Sequence, residues 1–366
     1  MPPLHLMVKP ASGACNLRCD YCFYLDEMDN RETASYGFMR PDTAQMIIRR
    51  AMAYAEQAIT FAFQGGEPTL MGACFYREWL RLVKKHNARR LPVHYALQTN
   101  GVAVDDALMD VLADGNFLVG VSLDGTKDIH DSRRKTAQGE PTYDKVLHTI
   151  RRMHARGINY NILCVVDEEI ARQPEAVYDA LRGHGYIQFI PCLDPIGEDG
   201  AWLDPVTYGQ FLVAVFDRYE QDIRAGQYVS VNLFDNWIRI LRGQPPTACN
   251  MTGHCSPNFV AESNGNIYPC DFYCLDEWLL GNLTADSFFA IAKTQRLRDF
   301  LSTSTHHPDT CRACPWYALC RTGCKRDYVE GVNRLCAGFG HFFEQRGERL
   351  AALAQVNIPN EPVQTV

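Results

Sequence analysis

The stretch Leu4-His5-Leu6-Met7-Val8-Lys9, then Pro10-Ala11-Ser12-Gly13-Ala14, then Cys15-Asn16-Leu17-Arg18-Cys19-Asp20-Tyr21-Cys22, decides how the rest of the chain is read. Its first six residues are mostly Leu, Met and Val, the composition of a buried strand. Directly after that strand come three cysteines in a Cys-x3-Cys-x2-Cys loop. Three thiolates so arranged hold three irons of a cubane cluster and leave the fourth iron open to another ligand. A zinc knuckle lacking one ligand is the alternative, but no partner His stands beside the three.

Outward from that loop, strand-like and helix-like segments alternate. Segments 4–9, 59–64, 93–99, 117–123, 160–166 and 187–192 are short and rich in Val, Ile, Leu, Phe or Tyr. Between them, 41–58, 74–87, 105–114, 143–156 and 174–184 carry helical spacing. Such alternation predicts right-handed βαβ units and a parallel sheet. After successive strands stand the cysteine loop, Gln64-Gly65-Gly66-Glu67-Pro68, Gln98-Thr99-Asn100-Gly101, Ser122-Leu123-Asp124-Gly125 and Cys192-Leu193-Asp194-Pro195. Polar, Gly-containing loops at the C-terminal ends of parallel strands are where barrel folds carry their sites. Six repeats are too few for a closed eightfold barrel, so the expected fold is α/β, an open partial (β/α)6 barrel. Gly65 and Gly66 let backbone approach a ligand closely, and Glu67 offers an anion to an ammonium group. The same run also reads as a plain glycine turn before a helix.

Residues 205–242 read as helical, and Gln244-Pro245-Pro246 breaks that pattern. Cysteines then crowd in at Cys249, Cys255, Cys270, Cys311, Cys314, Cys320, Cys324 and Cys336. Eight thiolates close two further four-ligand sites, with a zinc ribbon as the alternative. The region shows little periodicity, as when clusters rather than a core hold a segment together. Gly323, Gly331 and Gly338 punctuate its end, and 339–354 reads as a closing helix before a loose tail at 357–366. The expected division is 1–235 for the barrel, 236–340 for the cysteine-rich domain and 341–366 for helix and tail.

Fifteen cysteines in 366 residues without signal-peptide architecture point to metal or redox chemistry in the cytoplasm rather than a disulfide framework. A formal charge of -7 argues against a nucleic-acid surface, and no apolar run reaches membrane-spanning length.

The loop Cys15–Cys22 matches the Cys-x3-Cys-x-aromatic-Cys signature and resembles the radical S-adenosylmethionine (SAM) enzymes. Gly65-Gly66-Glu67-Pro68 resembles the motif with which they hold the amino group of SAM. The same resemblance makes Ser122, Arg134, Asn100 and Leu193 candidates for further SAM contacts. Cys311-x2-Cys314-x5-Cys320-x3-Cys324, with Cys336 after it and Gly265-x4-Cys270 before it, resembles the SPASM auxiliary-cluster domain. The resemblance implies that Cys249, Cys255, Cys270 and Cys324 hold one [4Fe-4S] cluster and Cys311, Cys314, Cys320 and Cys336 another, three in all. Cys74, Cys164, Cys192 and Cys274 are left over and read as small buried apolar residues.

Val8-Lys9-Pro10-Ala11-Ser12, the run 61–70, Leu97-Gln98-Thr99-Asn100-Gly101 and Tyr268-Pro269-Cys270-Asp271-Phe272-Tyr273 extend the likeness to the anaerobic sulfatase-maturating enzymes. These oxidise one Cys or Ser of a sulfatase to Cα-formylglycine without oxygen. The likeness implies that a 5′-deoxyadenosyl radical removes a Cβ hydrogen and that Asp271 takes the thiol or hydroxyl proton. The electron then passes to an auxiliary cluster, and a thioaldehyde hydrolyses to the aldehyde. By physics alone Asp271 serves equally well as a hydrogen-bond partner of its own loop. Tyr24 and Gln64 resemble residues lining the peptide site. Implied partners are a sulfatase bearing Cys/Ser-x-Pro-x-Arg and a reducing flavodoxin or ferredoxin, with no nucleic acid and no membrane. Two departures, Cys274 at an expected aliphatic position and a short stretch between Cys324 and Cys336, bear on peptide preference. Competing readings are an enzyme that installs a thioether, crosslink or epimer in a ribosomal peptide, a multi-cluster electron-transfer protein, and a zinc-stabilised binding module.

Overall fold

The computed structural model describes residues 3–356 except 199 and 201, so the expected loose tail at 357–366 lies outside the described residues. The chain divides into two compact units, one of 1–122, 133–160 and 257–300, the other of 123–132, 161–256 and 301–366.

In the first unit, strands β1 (Leu4–Lys9), β2 (Ile59–Phe63), β3 (Val93–Thr99) and β4 (Phe117–Ser122) pair in that order, all parallel. Helices Pro41–Tyr54, Gly72–His86 and Asp106–Asp114 make the crossovers. Helix Gly72–His86 turns Ala73, Tyr76, Trp79, Leu82 and Val83 inward, the spacing of one helical face. Trp79 meets Phe63 of β2 edge-on at 5.0 Å, a favoured ring geometry. Cys74 falls off that face and is exposed, which corrects the expectation that it is buried.

A second correction concerns the cysteine-rich region. Part of it belongs to this hydrophobic core: β5 (Phe259–Glu262) is buried along its whole length and runs parallel beside β1, with Leu6 opposite Phe259 and Val8 opposite Ala261. Strands β6 (Asn266–Tyr268) and β7 (Gly281–Asn282) extend the sheet antiparallel. Val260, Tyr268 and the fully buried Cys274 pack together there, with Met7 of β1 against them. Three apolar residues and a glutamate between loops were too short a run to read as a strand.

The second unit carries the remaining expected strands, Tyr160–Val166 (all but its first residue) and Tyr186–Pro191, parallel to each other and followed by the short Ser230–Val231. Helix Pro205–Arg224, capped by the Asp204 carboxylate on the Val206 and Thr207 amides, packs with Asn232–Leu241 and the closing helix. That closing helix spans Cys336–Ala354, three residues longer at its start than expected. Gly338 therefore lies inside it, where a Cβ would stand 2.3 Å from the Pro205 carbonyl oxygen. Its absence of side chain lets two helix backbones touch. Phe216, Phe234, Trp237 and Phe342 fill the space between these helices. Half-buried Arg334 ties the loop after Tyr186–Pro191 to the cysteine-rich hairpin, pairing with Asp194 at 3.4 Å and Asp327 at 3.3 Å and donating to the Cys192 carbonyl.

Among the described residues no helix is long and apolar enough to cross a membrane.

Candidate active site

The cysteine triplet is held by backbone pairing. Leu17–Cys19 runs antiparallel to Arg134–Thr136, with Cys19 opposite Arg134. Arg134 is buried and lies over the Tyr21 ring, 5.4 Å from its centroid. The Leu17 amide donates to Cys15 Sγ at 3.4 Å, and Asn100 Nδ2 stands 3.8 Å from the same sulfur. Two donors directed at one sulfur fit a thiolate ligand. All three thiols are part-exposed.

The glycine-rich loop after β2 closes onto the triplet. The Glu67 amide donates to the Ala14 carbonyl at 2.8 Å. Gly65 and Gly66 have φ of 82° and 48°, and a Cβ on Gly66 would stand 2.3 Å from the Ala14 oxygen. Only glycine permits this approach.

Glu67 differs from the expectation of an anion turned toward an ammonium group. It is 1% exposed, and its carboxylate is taken up within the protein. Oε1 accepts from the Thr69 amide, the Thr69 hydroxyl and the Thr99 hydroxyl, and Oε2 from the Asn100 amide at 2.7 Å. Glu67 thereby fastens the β2 loop to the end of β3, and its burial pushes its carboxyl above the ordinary range. Ser122, at the end of β4, accepts from Gln98 Nε2 at 3.2 Å. Leu193 is half-buried in the loop after Tyr186–Pro191, its carbonyl facing the Cys192 thiol.

Asp271 follows Cys270 on a single helical turn, Asp271–Tyr273, and is 8% exposed. Its Oδ2 accepts from Tyr24 OH at 2.8 Å and from Gln64 Nε2 at 3.2 Å, so the structure brings the two expected peptide-site residues and the expected base together. Burial and the neighbouring Asp271 push the Tyr24 phenol far above its ordinary range, so it stays protonated and donates. Asp271 Oδ1 is itself buried, 3.1 Å from Lys9 Nζ, and accepts no hydrogen bond among the described residues.

Lys9 and Glu27 were not read from the sequence. Lys9 ends β1 fully buried, its ammonium 3.0 Å from Glu27 Oε2 and 4.4 Å from the Tyr24 ring centroid. Burial works against its charge, but the surrounding groups outweigh that and hold it well above the ordinary range. The Cys274 thiol is itself pushed far up by burial and stays neutral, so the counter-charge comes from the two carboxylates. Burial pushes Glu27 up to about 7, with Lys9 acting against it and Asp271 adding to it.

In the second unit Cys311, Cys314, Cys320 and Cys336 act on one another. Burial raises Cys320 to about 11, and Cys336, Cys311 and Cys314 add to the shift. Cys311 is raised by burial and then by Cys336 and Cys314. Cys249 is raised by burial and then by Cys255. These thiols lie close enough to one another for their charges to interact. Among the described residues no three His, Cys, Asp or Glu side chains converge closely enough to hold a single ion. Cubane ligands need no such convergence, since each binds a different iron.

Residues 10–181 match the radical SAM superfamily and residues 254–315 an iron-sulfur cluster-binding domain. A cysteine-type anaerobic sulfatase-maturating enzyme of Clostridium novyi (strain NT) is 41% identical, with 97% of this chain and 98% of that protein covered. The chain belongs to the anaerobic sulfatase-maturating enzymes. Within this family of maturases the cysteine type is the nearer: a serine-type member from Bacteroides thetaiotaomicron is 29% identical, with 93% of this chain and 89% of that protein covered. The solved structure of native anSMEcpe with bound AdoMet and Cp18Cys peptide superimposes with a TM-score of 0.91 at 37% identity, with 96% of this chain and 99% of that one covered. The maturase fold is thus α/β with a parallel-sheet radical SAM core and an iron–sulfur domain.

Proposed function

We propose that this chain oxidises the active-site cysteine of a sulfatase to Cα-formylglycine, with Asp271 as the base that removes the thiol proton. The observation that carries the reading is the gathering of Tyr24, Gln64 and Asp271, in which the phenol and the amide both donate to Asp271 Oδ2 and so hold its carboxylate in place. A general base has to be held within reach of the proton it takes.

Cys15, Cys19 and Cys22 hold the SAM-binding cluster; Cys249, Cys255, Cys270 and Cys324 hold one auxiliary cluster, and Cys311, Cys314, Cys320 and Cys336 the other. Backbone at Gly65 and Gly66, fastened by Glu67, receives SAM, with Asn100, Ser122, Arg134 and Leu193 as further contacts. When bound, these groups would supply a hydrogen-atom abstractor for the substrate Cβ and an acceptor for the electron left behind. The Asp271 carboxylate takes the proton from the thiol, and Tyr24 and Gln64 hold it in place as it does so. Loss of one hydrogen atom, one proton and one electron turns the cysteine into a thioaldehyde, and water then replaces its sulfur as hydrogen sulfide. The substrate segment carries Cys-x-Pro-x-Arg, and reduced flavodoxin or ferredoxin supplies electrons in the cytoplasm. The radical module takes 1–235, the auxiliary-cluster domain 236–340 and the closing segment 341–366.

The test is anaerobic reconstitution followed by mass spectrometry of a sulfatase peptide with that motif. Formation of 5′-deoxyadenosine with a loss of about 18 Da at the cysteine is the expected result for this cofactor-supplied oxidation. Deoxyadenosine without any change in the peptide would reject the sulfatase as substrate.

A further inference from the structure

The run Lys84-Lys85-His86-Asn87-Ala88-Arg89-Arg90 holds four cations and an imidazole with no acid among them, in a chain of formal charge -7. It closes helix Gly72–His86 and forms the turn that leads to β3. Helix Pro41–Tyr54 ends beside it: Arg89 Nη2 donates to the Met52 carbonyl and, at 3.4 Å, to the Ala53 carbonyl. The turn is pinned from within, since Asn87 Nδ2 donates to the Leu91 carbonyl at 2.8 Å and Asn87 Oδ1 accepts from the Leu91 amide at 2.9 Å. Between the two helix ends lies a cavity of about 310 Å³, lined by Arg49, His86 and Arg89 with Met52, Ala53 and Ala88 as its apolar part. Both helices run back toward the starts of the parallel strands, whereas the cysteine loop follows the end of β1. A five-residue strand such as β2 spans about 17 Å at ~3.3 Å per residue, so the cavity stands apart from the site described above.

Cations in the last turn of a helix ordinarily balance its partial negative end. Here they exceed it. Two helix ends present about one negative charge between them, and Glu56, just past the end of helix Pro41–Tyr54, adds another. Glu78 is already taken by Arg81. Against these stand Arg49, Lys84, Lys85, Arg89 and Arg90, none of which forms an ion pair among the described residues. His86 is lowered by burial and then by Lys85, Arg49 and Arg81, so its ring is neutral at pH 7 and lies within electrostatic reach of three cations. His86 Nε2 is buried without a hydrogen-bond partner among the described residues. Such an atom calls for a ligand or a water, and as Nε2–H it donates to an oxygen placed beside it. The Arg49 guanidinium meets only Met46 Sδ, at 3.1 Å, a weak acceptor. Arg89, tied to two carbonyls through Nη2, has the direction of its remaining N–H groups fixed.

We propose that this cavity is a binding site for a tetrahedral oxyanion of the phosphate or sulfate class, held between the Arg49 and Arg89 guanidinium groups and the His86 ring. Planar guanidinium forks match the paired oxygens of such anions. A carboxylate brings two oxygens and a single charge to three donor groups, while a tetrahedral dianion brings an oxygen to each. The bound anion ties the end of helix Pro41–Tyr54 to the end of helix Gly72–His86.

The experiment is equilibrium dialysis of the full, cluster-loaded chain against radiolabelled inorganic phosphate in chloride buffer, with unlabelled sulfate as competitor. It compares the parent with Arg49→Gln, Arg49→Lys and Arg90→Gln. Arg90 belongs to the same basic run but does not line the cavity, so Arg49→Gln and Arg90→Gln lose the same charge at different places. The parent is expected to bind about one equivalent with a Kd of about 1 mM or below, and sulfate displaces it. Affinity falls at least about tenfold in Arg49→Gln and stays within about twofold in Arg90→Gln, because charge-assisted fork bonds are strong and local. Arg49→Lys keeps the charge but not the fork, and it too loses affinity. Arg49 is exposed and outside the SAM and peptide sites, so both Arg49 variants are expected to cleave SAM at the parent rate, which reports that they are folded. Absence of saturable phosphate binding by the parent would overturn the proposal. Equal losses in Arg49→Gln and Arg90→Gln would overturn it as well, leaving a diffuse basic surface, and so would parent affinity in Arg49→Lys.

Discussion

Two carboxylates and one ammonium in a dry pocket leave one negative charge in excess. The Glu27 carboxyl, ordinarily near 4.5, is pushed up to about 7 by burial first, and Asp271 adds to the shift while Lys9 opposes it. Between those values the folded protein holds a proton that the unfolded chain has released. The stability this group contributes is full below about pH 4.5 and falls as the pH rises to about 7. Urea unfolding of the parent chain and Glu27→Gln at pH 5 and pH 7.5 checks the sign: the variant gains on the parent at the higher pH. At this scale the sequence was only half legible. Asp271 stood out because it adjoins Cys270, and Tyr24 and Gln64 stood out by family likeness. Lys9 entered only as part of the strand and of the family-like run Val8-Lys9-Pro10-Ala11-Ser12, and Glu27 not at all. Their meaning depends on a turn roughly 240 residues further on, which no local pattern announces.

Elements in this chain meet through glycines, and two of those meetings carry predictions. At Gly66 the loop after β2 touches the cysteine loop backbone to backbone, at a φ of 48°. Gly66→Ala forces a methyl against the Ala14 oxygen and adds strain of about 1–3 kcal/mol. Loss of SAM binding with a modest fall in Tm is expected, measured by equilibrium dialysis and thermal unfolding. At Gly338 the closing helix meets Pro205. Gly338→Ala overpacks that crossing at a cost of about 1–3 kcal/mol, lowering Tm while the folded fraction still cleaves SAM at the parent rate. The six expected parallel strands were legible as short apolar runs, while the short pair Leu17–Cys19 with Arg134–Thr136 and the two-residue Ser230–Val231 were not. Nor was the interior of the cysteine-rich region. Its Phe259–Glu262 strand is only four residues long, and Gly338 has the look of a helix stop until the backbone beside it is seen.

Over the whole chain, relatedness and chemistry point the same way on substrate. Identity is 41% to a cysteine-type maturase and 29% to a serine-type one. A thiol with an ordinary pKa near 8.5 gives up its proton to a carboxylate far more readily than an aliphatic hydroxyl does. A peptide with Cys-x-Pro-x-Arg is therefore expected to be converted at least about tenfold faster than its Ser counterpart, given that base strength sets the proton-transfer step. Competition of the two peptides in one anaerobic reaction, read by mass spectrometry, decides it. Equal rates would mean that Asp271 does not limit the reaction.

The position of β1 has a consequence for anyone who cuts or recombines this gene. Its two edges are covered by β2 on one side and by β5, more than 240 residues later, on the other. A fragment that stops at residue 235 lacks Phe259–Glu262 and leaves Leu6-Met7-Val8 as a bare parallel edge, a template for self-association. Chimeras between relatives will stay in solution when the crossover carries 257–300 together with the N-terminal half, because that later segment is the seam by which the first strand is sewn shut.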